Sequence, residues 1–258
     1  MAMEKTEILF GFHSVYEALR AAKRQFEVVI ISSKRSAGRA DKVILLAEKR
    51  GIKLEYADPK ELDKLTEFAP HQGIVARASF FPTKKATQIL SLLKKRETPY
   101  FILVTESIED PHNLGALIRT ALCADVDYIM IPKDRSCPPS STVSRSSAGA
   151  MEHADIFMIT NTASILRALK ENGAWISGLD AHGNTGLYES DLTGNIALVI
   201  GGEHKGIRPG VKKECDFIVS IPISGKINSL NASVAGGIAM YEAKRQRSVK
   251  YVTEFKGV

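Results

Sequence analysis

The stretch that decides the fold runs from residue 100 to residue 124 and reads YFILVTESIEDPHNLGALIRTALCA. Its first part, Tyr100–Val104, is a continuous apolar run, which is typical of a strand buried on both faces of a parallel sheet. A polar turn at Asp110-Pro111 follows, and helical spacing then extends over Leu114–Ala124. A strand, a polar turn and a helix in this order predict the first unit of an α/β domain.

The same alternation continues along the chain. Strands are predicted at Tyr128–Ile131, Trp175–Leu179, Ile196–Ile200 and Phe217–Ile221, and helices at Ser141–Ala150, Ala163–Asn172 and Leu230–Gln246. This pattern favours a mostly parallel sheet with helices on both faces, within a domain that spans residues 99–258. Weaker strand and helix signals predict a smaller α/β domain over residues 1–79, and the lysine-rich residues 80–98 are predicted to link the two domains.

Three polar, glycine-containing clusters each begin where a predicted strand stops. They are residues 110–119 (DPHNLGALIR), 201–206 (GGEHKG) and 221–231 (IPISGKINSLN). Each has an ordinary structural explanation: a helix cap at Asn113, a tight turn at Gly201-Gly202, and a loop with a cap before the last helix. Glycines at strand ends also let a ligand approach bare backbone. Because three such clusters follow neighbouring strands, we predict that they form one ligand pocket.

Two common nucleotide-binding loops are disfavoured. Gly201 and Gly206 have the spacing of a phosphate-binding loop, but Ile207 stands where that loop needs a lysine. No G-x-G-x-x-G sequence follows the first strand of either predicted domain, which argues against a Rossmann dinucleotide site.

The composition is that of a basic globular protein. The formal net charge of +6 and the pI of about 9.1 favour a polyanionic partner. The three cysteines form no CxxC pair, and no histidine cluster completes a metal site, so we expect reduced thiols and no metal. No apolar run approaches the ~20 residues that span a membrane, and residues 1–5 begin no signal peptide. We therefore expect a cytoplasmic protein without a membrane partner.

The three clusters resemble the signature motifs of the SpoU (TrmH) family of RNA 2'-O-ribose methyltransferases, which belongs to the SPOUT superfamily. Asp-Pro-x-Asn-x-Gly-x-x-x-Arg spans residues 110–119, Gly-x-Glu-x-x-Gly spans 201–206, and Pro-x-x-Gly-x-x-x-Ser-Leu-Asn spans 222–231. Ala232 replaces the valine that usually follows the last motif. Four further segments, at residues 11–15, 71–76, 133–136 and 147–150, resemble the family's bacterial 23S rRNA guanosine-2'-O-methyltransferases.

The resemblance implies transfer of a methyl group from S-adenosylmethionine to the ribose 2'-hydroxyl of a guanosine in 23S rRNA. It also implies an L30e-like N-terminal domain that binds RNA, a C-terminal SPOUT domain with a deep trefoil knot, and a homodimer whose paired knots complete each other's active sites. The resemblance assigns catalysis to Asn113, Arg119, Glu203, Ser229 and Asn231, cofactor binding to Gly201, Ile221 and Leu230, and substrate binding to His13, Gln72, Arg135 and Arg145.

Charge chemistry refines two of these expectations. An arginine guanidinium hardly deprotonates in proteins, so we expect Arg119 to act as a cation beside developing negative charge rather than as a base. In the first domain, Lys23-Arg24, Lys34-Arg35 and Arg39 are predicted phosphate contacts.

Two other functions stay open at this point: the same chemistry on tRNA, and a non-catalytic RNA-binding ribosomal factor. The full set of motif residues favours an enzyme, and the segment His71-Gln72-Gly73 favours rRNA. In the last helix, the apolar stripe of Val234, Ile238 and Tyr241 is predicted to lie at the dimer interface.

Overall fold

The computed structural model of the chain describes residues 6–34, 38–203 and 206–255, with side chains described as far as residue 248. Arg35, His204 and Lys205, which belong to predicted contacts or motifs, lie outside the described residues. The chain divides into two compact units. The first comprises residues 1–82 and 139–153, and the second comprises residues 83–138 and 154–258.

The first unit is a four-stranded sheet with helices on its faces. Its elements are β1 (Thr6–Phe10), α1 (Phe12–Ala21), β2 (Phe26–Ser32), α2 (Arg39–Lys49), β3 (Leu54–Ala57), α3 (Pro59–Leu65) and β4 (Ile74–Ser79). The strand order is β1-β4-β2-β3, in which β2 and β3 are parallel and the other pairs are antiparallel. Apolar side chains of α1, α2 and the sheet form the larger core, and Leu62 of α3 packs on the opposite face.

A buried charge network holds residues 139–153 within the first unit. The guanidinium of Arg24 donates to both carboxylate oxygens of Glu152, at 2.7 and 3.0 Å, and to Glu7 Oε1 at 2.6 Å. Ser144 Oγ donates to the same Glu152 carboxylate at 2.7 Å. The predicted contact between Arg24 and RNA phosphate is wrong, because the Arg24 side chain is fully buried among these carboxylates.

The second unit is built on an eight-stranded sheet. Its elements before the insertion are β5 (Lys84–Lys85), α4 (Thr87–Leu93), β6 (Phe101–Glu106), α5 (Pro111–Cys123) and β7 (Tyr128–Pro132). The inserted segment carries α6 (Ser141–Ser146) and a 3₁₀ turn at Ala150–His153. The second unit then resumes with β8 (Ile156–Ile159), α7 (Thr162–Glu171), β9 (Trp175–Leu179), β10 (Thr185–Gly186), a 3₁₀ turn (Leu187–Glu189), β11 (Ile196–Gly201), α8 (Pro209–Lys212), β12 (Phe217–Ser220) and α9 (Ala232–Phe255).

The predicted parallel sheet is confirmed. The strand order is β10-β12-β9-β11-β6-β7-β8-β5, and every neighbouring pair is parallel. The chain turns from β6 to β7 on one side and places β11 and β9 on the other, so the strand order reverses beside β6. Ligand sites in open α/β sheets lie outside the carboxyl ends of the strands at such a reversal. The carboxyl ends of β6, β9, β11 and β12 therefore mark the site.

Several elements differ from the sequence prediction. The strand β8 was not predicted, and β5 and α4 lie within the predicted linker. The predicted helix Ser141–Ala150 stops at Ser146, because Ala148 and Gly149 take positive φ angles of 51° and 80°. A Cβ on Gly149 would lie 2.6 Å from the carbonyl oxygen of His13, so only glycine fits this turn. The last helix begins two residues later than predicted and extends to Phe255. In the described part of the chain, no helix is both long and apolar enough to cross a bilayer.

Candidate active site

The first motif begins with a helix cap at Asp110 rather than at Asn113. The Asp110 carboxylate accepts hydrogen bonds from the backbone N–H groups of His112 and Asn113, both at 3.1 Å. Pro111 occupies the first helical position, where its missing N–H costs nothing. The alternative that Asn113 caps the helix is therefore wrong. Asn113 lies in the first turn of α5, and its side chain is free to serve the site.

The side chains of Asn113, Glu203 and Asn231 form one hydrogen-bonded cluster, although they come from three separate motifs. Asn113 Nδ2 donates to Glu203 Oε1 at 3.1 Å, and Asn231 Nδ2 donates to Asn113 Oδ1 at 3.0 Å. Asn231 Nδ2 also donates to Glu203 Oε1. The side-chain oxygen of Asn231, Oδ1, accepts from the N–H groups of Ser233 and Val234 and so caps α9. Capping fixes the orientation of the amide that completes the cluster.

In the second motif, Gly202 and Gly206 pair with each other at the end of β11. Gly202 N donates to the carbonyl oxygen of Glu106 at 2.8 Å, and Gly206 N donates to Gly202 O at 2.9 Å. A Cβ on Gly202 would collide with the carbonyl oxygen of Ser107, and a Cβ on Gly201 would collide with the backbone of Gly206. These glycines are needed because two backbone segments pass at this strand end.

A cavity of about 420 Å³ opens at the carboxyl ends of β9, β11 and β12. The residues predicted to contact the cofactor, Gly201, Ile221 and Leu230, all line it, and so do Ser229 and Glu203. Sequence reasoning missed the contribution of β9, which adds Leu179, Asp180, Ala181 and His182 to the lining. The predicted end of β9 at Leu179 was the available signal, because it places the next residues at the same sheet edge.

Asp180 brings a negative charge to this cavity. Partial burial opposes its ionisation, but the backbone N–H of His182 and the ammonium of Lys212 each donate to it at 2.9 Å. These hydrogen bonds outweigh the burial, so the pKa of Asp180 lies below its ordinary value. The carboxylate is therefore ionised at neutral pH.

A second cavity, of about 400 Å³, lies beside the first. It is lined by the turn after β6 and the first turn of α5, including Ser107, Asp110 and Asn113. Gly202, Glu203 and Ala232 line both cavities. The hydrogen-bonded cluster thus lies where two ligands could meet.

Arg119 lies apart from this cluster. It is exposed on α5, it lines neither of the two cavities, and it has no hydrogen bond or ion pair within the described residues. It lies six positions after Asn113 on the helix, which turns it about 120° away from the Asn113 face, given ~3.6 residues per turn. Arg119 therefore lies on a different face of α5 from Asn113.

The residues predicted to bind RNA occupy both units. His13, Gln72 and Arg145 belong to the first unit. Gln72 Oε1 accepts from the backbone N–H of Phe12 at 3.1 Å, so its side chain also supports the start of α1. The guanidinium of Arg145 lies 5.1 Å from the ring centre of Phe10. Arg135 is exposed in the second unit and adopts a positive φ of 57°.

Comparison with known proteins places both parts of the sequence in one class of enzyme. Residues 100–241 match the model of the SpoU rRNA methylase family, and residues 8–84 match the RNA 2'-O ribose methyltransferase substrate-binding model. The chain is 37% identical over 243 residues to the 23S rRNA (guanosine-2'-O-)-methyltransferase RlmB of Escherichia coli strain K12, covering 94% of this chain and all of that one. It is 36% identical over 245 residues to the putative TrmH family tRNA/rRNA methyltransferase YacO of Bacillus subtilis strain 168, covering 95% and 98%.

The fold agrees with solved structures of this class. The SpoU methyltransferase AviRb from Streptomyces viridochromogenes, solved in complex with AdoMet, superposes with a TM-score of 0.77 at 22% identity, covering 93% of this chain and 90% of that one. Fold and motifs together define an α/β RNA ribose methyltransferase. The chain belongs to the SpoU rRNA methylase family. The predicted enzyme class, an S-adenosylmethionine-dependent RNA 2'-O-ribose methyltransferase, is confirmed at the level of this family.

Proposed function

We propose that the chain transfers a methyl group from S-adenosylmethionine to the ribose 2'-hydroxyl of a guanosine in 23S rRNA. The observation that carries the proposal is the cluster of Asn113, Glu203 and Asn231, which joins all three motifs between two cavities. Similarity to the Escherichia coli enzyme along nearly the whole chain supports 23S rRNA as the substrate.

The cavity of about 420 Å³ fits the cofactor. Its walls combine aliphatic side chains such as Leu179 and Ile221 with backbone edges at Gly201 and Leu230, which suits a nucleoside with an apolar ring face and a polar rim. Asp180, ionised and paired with Lys212, adds carboxylate oxygens that can accept hydrogen bonds from the ligand. When bound, S-adenosylmethionine supplies an electrophilic methyl group on a positively charged sulfur.

The cluster's task is to orient the ribose. Both amide donors use Oε1 of Glu203, and Oε2 has no partner within the described residues. Oε2 can therefore accept a hydrogen bond from a ribose hydroxyl in the neighbouring cavity. Asn113 and Asn231 hold the carboxylate in one orientation, which lowers the entropic cost of aligning hydroxyl and methyl donor.

The protein acts as a homodimer in which Arg119 serves the active site of the partner subunit. Support comes from apolar side chains left exposed on α5 and α9: Val234 and Tyr241 are each 51% exposed, and Leu122 is 39% exposed. Arg119 is exposed on the same pair of packed helices. A guanidinium supplied by a second copy would lie beside the developing alkoxide or a neighbouring phosphate.

The first unit binds the RNA, and the second binds the cofactor and carries the deep trefoil knot expected of the family. His13, Gln72 and Arg145 support RNA binding by the first unit, and the exposed Arg135 adds a cation from the second. We place the enzyme in the cytoplasm, where its ribosomal RNA substrate is made and modified.

Mass-spectrometric mapping of ribose methylation in total RNA, with and without the gene, tests the substrate. Loss of one 2'-O-methylguanosine from 23S rRNA is expected. The name of the Bacillus subtilis relative covers both tRNA and rRNA, so loss from tRNA alone would select the tRNA substrate instead. Unchanged methylation would favour an RNA-binding ribosomal factor. If light scattering finds a monomer at micromolar concentration, Arg119 cannot serve the active site of a partner subunit as proposed.

A further inference from the structure

One buried carboxylate beside the site has no part in the proposed chemistry. Glu106 is the last residue of β6, and its side chain is fully buried. Burying an unpaired carboxylate costs several kcal/mol by the usual penalty for charge desolvation, so a buried glutamate needs partners. Glu106 has two: Thr162 Oγ1 donates to Oε2 at 2.9 Å, and Arg208 Nε donates to Oε1.

These contacts tie both ends of the loop that carries Glu203. At the start of the loop, Gly202 N donates to the main-chain oxygen of Glu106 at 2.8 Å. At its end, Arg208 is ion-paired to the side chain of the same residue. The bond from Gly206 N to Gly202 O closes the loop between these anchors. Glu106 therefore holds the carboxyl end of β11, which carries Glu203 and the motif glycines.

We propose that Glu106 is a positioning residue that acts through Arg208 to hold Gly202, Glu203 and Gly206 in the arrangement that lines the cavity. The proposal rests on the proposed function only for what the loop binds. Thr162 orients the carboxylate through its hydroxyl, and the hydrogen bond to Glu106 raises the pKa of Arg208, so the guanidinium stays charged. Gly201, Gly202 and Glu203 line the cofactor cavity, so loosening the loop weakens ligand binding without removing any group that touches the ligand.

The test compares Glu106→Gln with Glu152→Gln in the full-length protein. Glu152 is the matched control, because it is equally buried and bonded to an arginine and a hydroxyl, but it lies in the first unit. Hydrogen–deuterium exchange is followed in peptides covering residues 201–208, and affinity for S-adenosylhomocysteine is measured by calorimetry. In Glu106→Gln, we expect exchange to rise and affinity to fall about tenfold each, as for loss of one charged hydrogen bond. In Glu152→Gln, both should stay within about twofold of the wild-type values.

Variants of Arg208 test the same ion pair independently, in case Glu106→Gln fails to fold. Arg208→Gln should reproduce both effects, Arg208→Lys should restore most of the affinity, and the Glu106→Gln/Arg208→Gln double variant should be no worse than either single variant. Unchanged exchange in residues 201–208 for both Glu106→Gln and Arg208→Gln would overturn the proposal, as would equal effects from Glu152→Gln. Exchange reads the loop directly, so a failure of the proposed substrate would leave this result standing.

Discussion

Two fully buried glutamates, one in each unit, have the same kinds of hydrogen-bond partner but different roles in the molecule. Glu152 accepts from Arg24 and from Ser144 Oγ, and Glu106 accepts from Arg208 and from Thr162 Oγ1. The difference lies in the cation. The Arg24 side chain is fully buried, whereas the Arg208 side chain is 37% exposed.

The different exposure of the two arginines indicates different roles. We call Arg24–Glu152 the architectural pair and Arg208–Glu106 the positioning pair. Burial opposes the charge on Arg24, but hydrogen bonds and attraction from Glu152 and Glu7 outweigh it and raise its pKa. Arg24 thus fastens residues 139–153 to the first unit at a place closed to ligands. Arg208 follows β11 in the sequence and lines a surface cavity. It comes shortly after Gly201–Glu203, which line the cavity of about 420 Å³. The same chemistry therefore fixes a fold in one unit and a binding loop in the other.

Breaking the architectural pair should have the largest effect. Arg24→Met leaves Glu152 and Glu7 without their cation, and uncompensated burial of charge costs about 3–5 kcal/mol. We expect the free energy of unfolding of the first unit to fall by that amount in urea denaturation at pH 7. Affinity for S-adenosylhomocysteine should remain at the wild-type value.

Two variants calibrate this result. Arg20→Met removes an exposed cation that pairs with Glu17 in the same unit, and it should cost under about 1 kcal/mol. Arg24→Met/Glu152→Met removes both charges of the buried pair and should recover most of the loss. If Arg24→Met costs no more than Arg20→Met, the buried network is not what holds residues 139–153.

The next largest effect should come from Arg119, a cation of the second unit that has no partner within the described residues. Arg119→Ala should slow single-turnover methyl transfer about 10²–10³-fold, the usual cost of losing one preorganised donor at a developing anion. Cofactor affinity should hardly change, because Arg119 lines neither cavity. Arg119→Lys should recover only part of the rate, since it keeps the charge but loses the planar fork.

Mixing two inactive variants locates the site that Arg119 serves. If Arg119 acts on the partner, a heterodimer of Asn113→Ala and Arg119→Ala chains has one complete site, and mixing restores part of the activity. If it acts within its own chain, mixing restores none. An unchanged single-turnover rate in Arg119→Ala would remove the residue from the catalytic set altogether.

Local signals in the sequence predicted most of the second unit. The bounds of Trp175–Leu179 were predicted without error, because an apolar run between polar turns depends only on its neighbours. The motif glycines likewise predicted the cavity at the strand ends. The pairing of Glu106 with Arg208 could not be predicted, since 102 residues separate them and buried charge pairs follow no period. For the same reason, the sequence did not predict the pairing of Arg24 with Glu152. Without that pairing, it also did not predict that residues 139–153 belong to the first unit.

An exposed carboxylate gives a smaller effect than either buried one. Asp110 caps α5 through two backbone N–H groups, and replacing such a cap with alanine typically costs about 1 kcal/mol. We expect Asp110→Ala to lower the free energy of unfolding by that amount, and Asp110→Asn to lower it by less, because asparagine also caps. Urea denaturation measures both. A loss of several kcal/mol in Asp110→Ala would mean that the carboxylate does more than cap the helix.

The smallest effect, and the one that depends on pH, should come from Asp180 and Lys212. The Lys212 side chain is 38% exposed, much like that of Arg208, so solvent screens the pair and Lys212→Met should cost under about 1 kcal/mol at pH 7. The folded-state pKa of Asp180 is lowered, so its contribution to stability is present above the ordinary value of 3.8 and is lost as the pH falls through the lowered value. The difference between wild type and Lys212→Met should therefore be constant from pH 7 to about pH 5 and shrink below pH 4, as followed by urea denaturation at each pH. Asp180→Asn is the control, since it should abolish this pH dependence. A difference that grows as the pH falls would show that Lys212 does not stabilise the ionised form of Asp180.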